Sequence, residues 1–296
     1  MAVVHALLIF HSFLLVLSCW VQLAAADDLQ PITGTKPGCP EKCGNVSIPY
    51  PFGVGDGCYI EEAFSITCNH TFNHPKPFFG ELNFLNISVR EGEIEVILYM
   101  AIDCYNDNLD VAWASATSGK FTFSDTRNKF TAIGCDTVAI VGGRTTGSYG
   151  TGCMSLCGNV SDVINGSCTG LGCCQSSIPK GLVSYNVSVS SFGETRMNLS
   201  FNPCSYAFLS KESWFNFSSA DLKEFSRGEN GVPAVLEWTI GEQNCDQAKR
   251  NSTTPYACGP NTDCYEPGNA PGYRCKCKDG YEGNPYLTST GRCQEQ

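Results

Sequence analysis

The sequence lacks the residue patterns of the common catalytic sites. It contains no Gly-x-Ser-x-Gly elbow, no His-Glu-x-x-His pair and no kinase motif, and its only histidines beyond residue 26 are His70 and His74. Their spacing would suit a metal bound on a helix, but Pro75, Pro77 and the glycosylation sequon at Asn69 predict a loop. We therefore expect no enzymatic activity, no catalytic residues, no metal ligands and no cofactor.

Charged residues are absent from the N-terminus. Residues 1–26 contain no Lys, Arg, Asp or Glu and end in three alanines, which predicts a secretory signal peptide with a small-residue cleavage site. An uncleaved membrane anchor is the alternative, because the apolar stretch is long and begins without a basic residue. No later apolar run has the length that a bilayer requires, so we expect the cleaved chain to be soluble and secreted.

An excess of positive charge is also absent. The formal net charge is −10, and residues 27–100 carry 4 basic and 10 acidic side chains. Proteins bind nucleic acid mainly through Lys and Arg, so this composition argues against nucleic acid as a partner.

Cysteine, by contrast, is abundant. Eighteen of the 19 cysteines follow the predicted signal peptide, and this even number in a secreted chain indicates paired disulfides. A zinc site would need clustered Cys-x2-Cys pairs, which the sequence lacks. The cysteines form three groups of six, so each region could close its own bridges, which favours boundaries near residues 140 and 244. Pairing within the first two groups stays open, although the adjacent Cys173 and Cys174 should bond to different partners.

Sequons for N-linked glycosylation are frequent and agree with secretion. The nine predicted acceptors are Asn45, Asn69, Asn86, Asn159, Asn165, Asn186, Asn198, Asn216 and Asn251.

Alternating apolar and polar residues predict a mainly β, disulfide-rich fold, with two small β domains followed by a cysteine-stapled module. Residues 85–102 are interpreted as one hairpin, with Leu85 on the buried face and Asn86 on the solvent face. Residues 121–133 are interpreted as a second hairpin. Further half-buried strands are predicted around residues 185–190, 198–201 and 236–240.

Two connecting stretches are interpreted from their composition. The glycine-rich residues 142–152 read as a flexible connector, since no Gly-Lys-Ser/Thr ending follows that would make a phosphate loop. Ser219–Arg227 reads as a short helix with a Ser cap, a late Arg and a Gly stop.

The last six cysteines have the order and spacing of an epidermal-growth-factor-like (EGF-like) module, with a single residue between the fourth and fifth. This resemblance implies the pairs Cys245–Cys264, Cys258–Cys275 and Cys277–Cys293. Calcium-binding versions carry oxygen donors before the first cysteine and a spaced Asn and aromatic pair later. Here Gly241 replaces one donor, and Asn269 to Tyr273 is one residue short, so we expect no dedicated calcium site.

The chain after the predicted signal peptide resembles the ectodomain of a plant wall-associated receptor kinase. The resemblance rests on CGNVSIPYPFG at 43–53, GDGC at 55–58, NKFTAIGCDT at 128–137, GCMSLCGN at 152–159, GCCQSSIPKGL at 172–182, VPAVLEWTIG at 232–241 and YACGPNTDC at 256–264. It implies a galacturonan-binding-like domain over 38–140, a wall-associated-kinase-type middle domain over 141–244 and an EGF-like domain over 245–293. A calcium-binding repeat, a transmembrane helix and a kinase normally follow in this family, and none occurs before Gln296.

The resemblance also implies contact with pectin in the cell wall, at the exterior of the plasma membrane. The cysteine-stapled loop Gly38–Cys68 is the first place to expect ligand contact, since it is irregular and rich in Pro, Tyr, Phe and Gly. The residues predicted to hold the sugar are the cations Lys36, Lys42 and Lys76 and the aromatic residues Tyr50, Phe52 and Tyr59.

Two other interpretations of this loop stay open. Calcium could bridge pectin carboxylates to Asp56, Glu61 or Glu62, and the rings of Tyr50 and Phe52 could simply pack beneath the loop. The alternative function is that of a co-receptor or decoy that pairs with full-length receptors and binds no sugar.

Overall fold

Short β-strands and disulfides make up most of the chain. The computed structural model describes residues 34–105, 112–144, 148–193 and 199–296, so the predicted signal peptide and the sequon at Asn198 lie outside the described residues. Nine disulfides link strands and loops, and the predicted mainly β, disulfide-rich fold class is confirmed. Within the described residues, no helix is long and apolar enough to cross a membrane.

A small ribbon and a six-stranded antiparallel sheet organise the N-terminal region. The ribbon consists of β1 (Lys42–Cys43) and β2 (Val46–Ser47). The sheet has the order β3 (Thr67–Asn69), β4 (Lys76–Phe79), β5 (Leu82–Ser88), β6 (Glu93–Leu98), β16 (Val232–Glu237) and β9 (Thr122–Phe123). Of the strand predicted around residues 236–240, only residues 236 and 237 lie in β16, whereas Ile240 forms an isolated bridge with Tyr273.

The predicted hairpin over residues 85–102 corresponds to β5 and β6 as far as Leu98, whereas residues 101 and 102 lie on a strand of another sheet. The two strands are joined through Gly92, whose φ of 69° suits glycine, and Asn86 is exposed as predicted. Leu85, however, is 40% exposed, so its predicted burial is wrong. The register shifts between Phe84 and Asn86, and this bulge turns Leu85 outward while Phe84 and Ile87 stay buried.

A four-stranded sheet has the order β13 (Cys173–Ser176), β10 (Asn128–Ile133), β15 (Cys204–Lys211) and β7 (Ala101–Cys104). The hairpin predicted over residues 121–133 is wrong, because β9 pairs with β16 whereas β10 pairs with β13 and β15. The buried amide of Asn128 fixes this change of sheet. It donates to the carbonyl oxygens of Ser124 and Val235 and accepts from the Val235 N–H.

Another four-stranded sheet, called here the middle sheet, has the order β12 (Ser148–Leu156), β11 (Asp136–Arg144), β14 (Ser184–Ser190) and β8 (Trp113–Thr117). Residues 142–144 and 148–152 therefore belong to a hairpin, and the predicted connector is wrong for these residues. Gly152 has no room for a Cβ against the carbonyl of Ala139, which explains a glycine inside a strand. The strand predicted around 185–190 is confirmed as β14, with Asn186 exposed.

Two other predicted elements differ. Residues 199–201 form no strand, since Leu199 pairs only with Asn202 in an isolated bridge. The predicted helix over Ser219–Arg227 is replaced by two 3-10 turns, Ser219–Leu222 and Ser226–Gly228. Between them, Phe225 adopts a non-helical backbone with φ −105° and ψ 57° and buries its ring, which interrupts the helix.

Two of the six disulfides formed by the first two cysteine groups link one group to the other. The six pairs are Cys39–Cys58, Cys43–Cys68, Cys104–Cys204, Cys135–Cys157, Cys153–Cys174 and Cys168–Cys173. The adjacent Cys173 and Cys174 have different partners, as predicted. The expectation that each group closes its own bridges is wrong for these two groups, because Cys104 on β7 bonds to Cys204, and Cys135, between β10 and β11, bonds to Cys157. The parity argument for a boundary near residue 140 therefore does not hold, and the domain limits stay a prediction.

The C-terminal module contains helix α1 (Cys245–Arg250) and two small ribbons. The ribbons are β17 (Thr262–Tyr265) with β18 (Arg274–Cys277) and β19 (Tyr281–Glu282) with β20 (Gln294–Glu295). Its disulfides are Cys245–Cys264, Cys258–Cys275 and Cys277–Cys293, the pairs that the EGF-like resemblance implies.

Three buried polar side chains attach this module to the rest of the chain. Arg274 donates to the carbonyl oxygens of Trp238 and Glu91, at 2.5 and 3.1 Å. Asn284 donates to the carbonyl oxygens of Gly34 and Tyr50, at 2.7 and 2.5 Å. The third side chain is Asn269, which accepts from the Gly181 N–H and donates to Thr122 and Phe123 of β9. Buried polar groups with satisfied hydrogen bonds specify one arrangement, so the module has a fixed position in the compact unit formed by residues 34–296.

Replacing Arg274 should destabilise the fold. The Arg274→Met variant loses both backbone hydrogen bonds and leaves the half-buried carboxylate of Glu237 without its guanidinium partner at 3.5 Å. We expect the free energy of unfolding to fall by about 3 kcal/mol, measured by denaturant titration. The matched control is Arg292→Met in the same module, where an exposed side chain donates one hydrogen bond, and about 0.5 kcal/mol or less is expected. Equal losses in the two variants would contradict this role of Arg274.

Candidate functional site

The stapled loop Gly38–Cys68 is closed by two disulfides, Cys39–Cys58 and Cys43–Cys68. The loop curves over the edge of the six-stranded sheet, where the N–H of Ile66 donates to the carbonyl of Gly53. The cross-links hold an irregular segment whose own backbone pairing is sparse.

Phe52 is not part of the loop surface. Its side chain is 0% exposed and contacts the rings of Phe64, Trp238 and Phe121 at centroid distances of 4.9, 5.4 and 6.1 Å. The prediction that Phe52 stacks on a sugar ring is therefore wrong in this structure. Its large apolar surface is more stable in the aromatic core than against water, so the alternative interpretation, packing beneath the loop, describes it.

Tyr50 lies between core and surface. It is 8% exposed, and burial raises the pKa of its phenol. The ammonium group of Lys36 lies 4.7 Å from the centre of its ring and donates to the carbonyl of Gly57 at 3.1 Å. We call Lys36 and Tyr50 the Lys36 pair, because cation–π attraction holds the ammonium beside the loop.

Lys76 makes a second cation–aromatic contact. It is exposed on β4, and its ammonium lies 4.5 Å from the centre of the Phe72 ring. Phe72, which is 41% exposed, stacks on Phe78 at a centroid distance of 6.0 Å. We call these three residues the Lys76 stack. Sequence reasoning missed Phe72 and Phe78, although their position in the chain on either side of Lys76 was an available signal.

Lys42 lies near the Lys76 stack through the backbone. It is exposed on β1, next to Cys43, whose disulfide joins β1 to β3. The turn at Gly44 packs directly against the carbonyl of Pro75, beside Lys76. The turn that follows the strand of Lys42 thus packs against the residue before Lys76, whereas Lys36 lies beside Gly57, next to the Cys39–Cys58 disulfide.

Tyr59, Glu61 and Glu62 of the loop form polar contacts with other residues of the protein. The Tyr59 hydroxyl donates to Glu62 at 2.9 Å, and this hydrogen bond is the main cause that raises the pKa of Tyr59. Glu61 forms an ion pair with Lys120. Asp56 is exposed. In the described ranges, no group of three or more His, Cys, Asp or Glu side chains could hold a metal ion.

The oxygen donors considered for calcium in the C-terminal module have structural contacts. Asn269 is buried, accepts from the Gly181 N–H at 2.8 Å and donates to Thr122 and to the carbonyl of Phe123. Asn244 accepts from the Gln247 N–H and caps α1. These side chains bind the protein's own backbone and neighbouring side chains.

Predicted glycosylation sites lie beside the loop as well as elsewhere. Asn45 is exposed in the turn between β1 and β2, and Asn69 is the cross-strand partner of Lys76. His70 and His74 are exposed in the turn between β3 and β4, which agrees with the predicted loop. Glycans at Asn45 and Asn69 would border the Lys76 stack, so glycosylation should affect which ligands reach it.

The fold and the loop surface define a disulfide-stabilised β protein with cation–aromatic contacts at its N-terminal end. A family model described as wall-associated receptor kinase galacturonan-binding matches residues 39–98, which include the stapled loop and the Lys76 stack.

Similarity to individual curated proteins covers most of the chain. The chain is 38% identical to wall-associated receptor kinase 2 of Arabidopsis thaliana over 264 residues, covering 87% of this chain and 34% of that protein. It is 37% identical to wall-associated receptor kinase 3 over 271 residues (84% and 34%) and 26% identical to wall-associated receptor kinase-like 10 over 315 residues (87% and 39%), both of the same organism. The chain spans about a third of the length of the first two relatives. No solved structure matches the chain significantly.

The chain therefore contains a wall-associated receptor kinase galacturonan-binding domain and is homologous to wall-associated receptor kinases over their ectodomain region. The predicted resemblance is confirmed.

The burial of Phe52 and the exposure of Phe72 generate a paired prediction. Phe52→Ala should lower the free energy of unfolding by about 3–5 kcal/mol, because it leaves a cavity in the aromatic core. Phe72→Ala, the matched control, removes a ring that is 41% exposed and should cost about 1 kcal/mol or less. Denaturant titration of both variants measures the difference, and a small effect of Phe52→Ala would show that the ring is not a core residue.

Proposed function

We propose that this chain binds galacturonan, the acidic backbone of pectin, on the cell-wall side of the plasma membrane. The observation that carries the proposal is the coincidence of two features. Residues 39–98 match the galacturonan-binding family model, and the same region presents an exposed lysine, Lys76, held against the exposed ring of Phe72.

The chemistry of the Lys76 stack suits a uronic acid. Each galacturonate unit has a carboxylate, which an ammonium group can bind through charge-assisted hydrogen bonds, and an apolar C–H face, which aromatic edges can contact. Phe72 restrains the Lys76 ammonium before the ligand arrives, so less side-chain entropy is lost on binding.

The Lys36 pair supplies a second cation at the loop. One N–H of the Lys36 ammonium is used by the carbonyl of Gly57, and the remaining donors are available for a carboxylate. Tyr50 contributes by holding the ammonium rather than by stacking on sugar, since only 8% of it is exposed. Lys42, exposed beside the Lys76 stack, extends the same positive surface.

The overall charge of this region opposes a polyanion. Residues 27–100 have six more acidic than basic side chains. Two carboxylates of the loop have partners within the protein, since Glu61 forms an ion pair with Lys120 and Glu62 accepts a hydrogen bond from Tyr59. These contacts reduce the repulsion that an anionic ligand meets at the lysines. We therefore propose a modest affinity that depends on local contacts and on salt.

Titration with oligogalacturonides of defined length tests the proposal. Saturable binding is expected by calorimetry, weaker at higher salt, and Lys76→Ala or Lys36→Ala should each weaken it about tenfold, a change of about 1.4 kcal/mol. The matched control is Lys223→Ala, an exposed lysine outside the matched residues 39–98, which should leave affinity unchanged.

Three outcomes would decide against parts of the proposal. Absence of saturable binding under every condition would overturn it and favour the alternative function, a co-receptor that pairs with full-length receptors. Equal effects of Lys76→Ala and Lys223→Ala would exclude the Lys76 stack as the site. Binding that disappears only with a calcium chelator would indicate calcium bridges to Asp56, Glu61 or Glu62 instead of direct lysine contacts.

A further inference from the structure

The solvent-facing side of the middle sheet carries a group of large apolar side chains. Five of them are at least half exposed: Trp113 65%, Ile140 52%, Met154 57%, Leu156 52% and Phe192 60%. The first four lie on strands of this sheet, and Phe192 follows β14 and donates its N–H to Asp136 on β11. We call this surface the outer face. A soluble domain seldom exposes so many large apolar side chains together without a binding partner.

Strand register makes these residues neighbours. Ile140 is directly opposite Gly152 on β12 and Ser188 on β14, and Ser188 is in turn opposite Trp113 on β8. One row away, Met154 is opposite Val138. The opposite side of the sheet is the core side, where Ala139, Val141 and Val187 are buried, so the outer face is not the product of an incomplete core.

The described side chains of the outer face carry almost no charge. Among its described side chains, Asp136 is the only ionisable group, and it is 6% exposed with an oxygen that accepts from the Phe192 N–H. The whole chain, in contrast, has a net charge of −10. Two copies of this chain therefore meet with the least repulsion when their outer faces come together.

The exposed area of the outer face and its alternation of large and small side chains also fit a second copy. With large side chains of about 150–250 Å² each, roughly half exposed, the five contribute about 500 Å² per copy, or about 1,000 Å² for two, near the lower limit of specific interfaces. Large residues alternate with small ones, since Ile140 lies between Gly152 and Ser188. A twofold axis would place the large residues of one copy against the small residues of the other.

We infer that the outer face of the middle sheet is a self-association surface, through which two copies of this chain form a weak, reversible dimer. The inference does not rest on galacturonan binding, because the outer face lies in the middle region and the proposed sugar contacts lie in the N-terminal region.

Sedimentation velocity on the full secreted chain, from about 1 µM to about 1 mM, tests the inference. A concentration-dependent shift towards the dimer is expected, and raising the salt concentration should strengthen it, because salt screens the repulsion between two negative chains. Ile140→Lys should weaken association at least about tenfold, since it introduces two like charges into the centre of a desolvated interface.

The matched control is Leu85→Lys. Leu85 is an aliphatic residue, 40% exposed at the bulge of β5, outside the outer face, and its replacement should leave association unchanged. If Ile140→Lys fails to fold, as judged by circular dichroism, Trp113→Ser provides the second variant, because 65% of that side chain already contacts water. It should weaken association about fivefold or more.

The sequon at Asn186 lies on the same face, opposite Gly142 and Ser115. Asn186 lies one row from Ile140 and Trp113, so a glycan there would stand in the contact surface, and the measurement is repeated with Asn186→Gln, which should associate more strongly than the glycosylated protein. A monomer at every concentration in both proteins would overturn the inference. Association that persists unchanged in Ile140→Lys and Trp113→Ser, or that high salt abolishes, would overturn it as well.

Discussion

The ring of Trp238 is buried completely and contacts aromatic rings from separate stretches of the chain. Phe52 and Phe64 of the stapled loop approach it at 5.4 and 5.8 Å, and Tyr286 of the C-terminal module at 5.5 Å. Arg274 lies beside the same ring and donates to the Trp238 carbonyl. The loop, the six-stranded sheet and the C-terminal module therefore depend on one apolar centre, whose burial drives their association.

This centre determines what the loop can present to a ligand. Because Phe52 is directed inward, the loop cannot offer its ring to sugar, and the exposed chemistry falls to cations restrained by neighbouring aromatic residues. The Lys36 pair and the Lys76 stack have the same arrangement, an ammonium group held 4.5–4.7 Å from a ring centre, in two places. A rigid support beneath the loop keeps these cations in position without a regular strand.

The C-terminal module contributes to the fold through two buried amide side chains. Asn269 holds Gly181 and β9, and Asn284 holds the backbone on both sides of the stapled loop at Gly34 and Tyr50. A ligand that displaces the loop would also disturb the module. In the middle sheet, by contrast, the solvent side carries no such contacts from the module among the described residues, and its apolar side chains stay exposed.

The amino-acid sequence by itself indicated the fold class, the hairpin β5–β6 and strand β14, which follow from alternation of polarity, a local property. The pairing of the last six cysteines and the similarity to wall-associated receptor kinases were implied by resemblance to known families. Tertiary structure alone decided that Phe123 and Phe130 belong to different sheets, that Cys104 and Cys135 bond outside their group, and that Leu85 is exposed by a bulge. It also decided that Phe52 is buried while Phe72 is exposed. The two phenylalanines are chemically identical, and what distinguishes them is the aromatic cluster around Phe52, which includes Phe121 and Trp238 from distant parts of the chain.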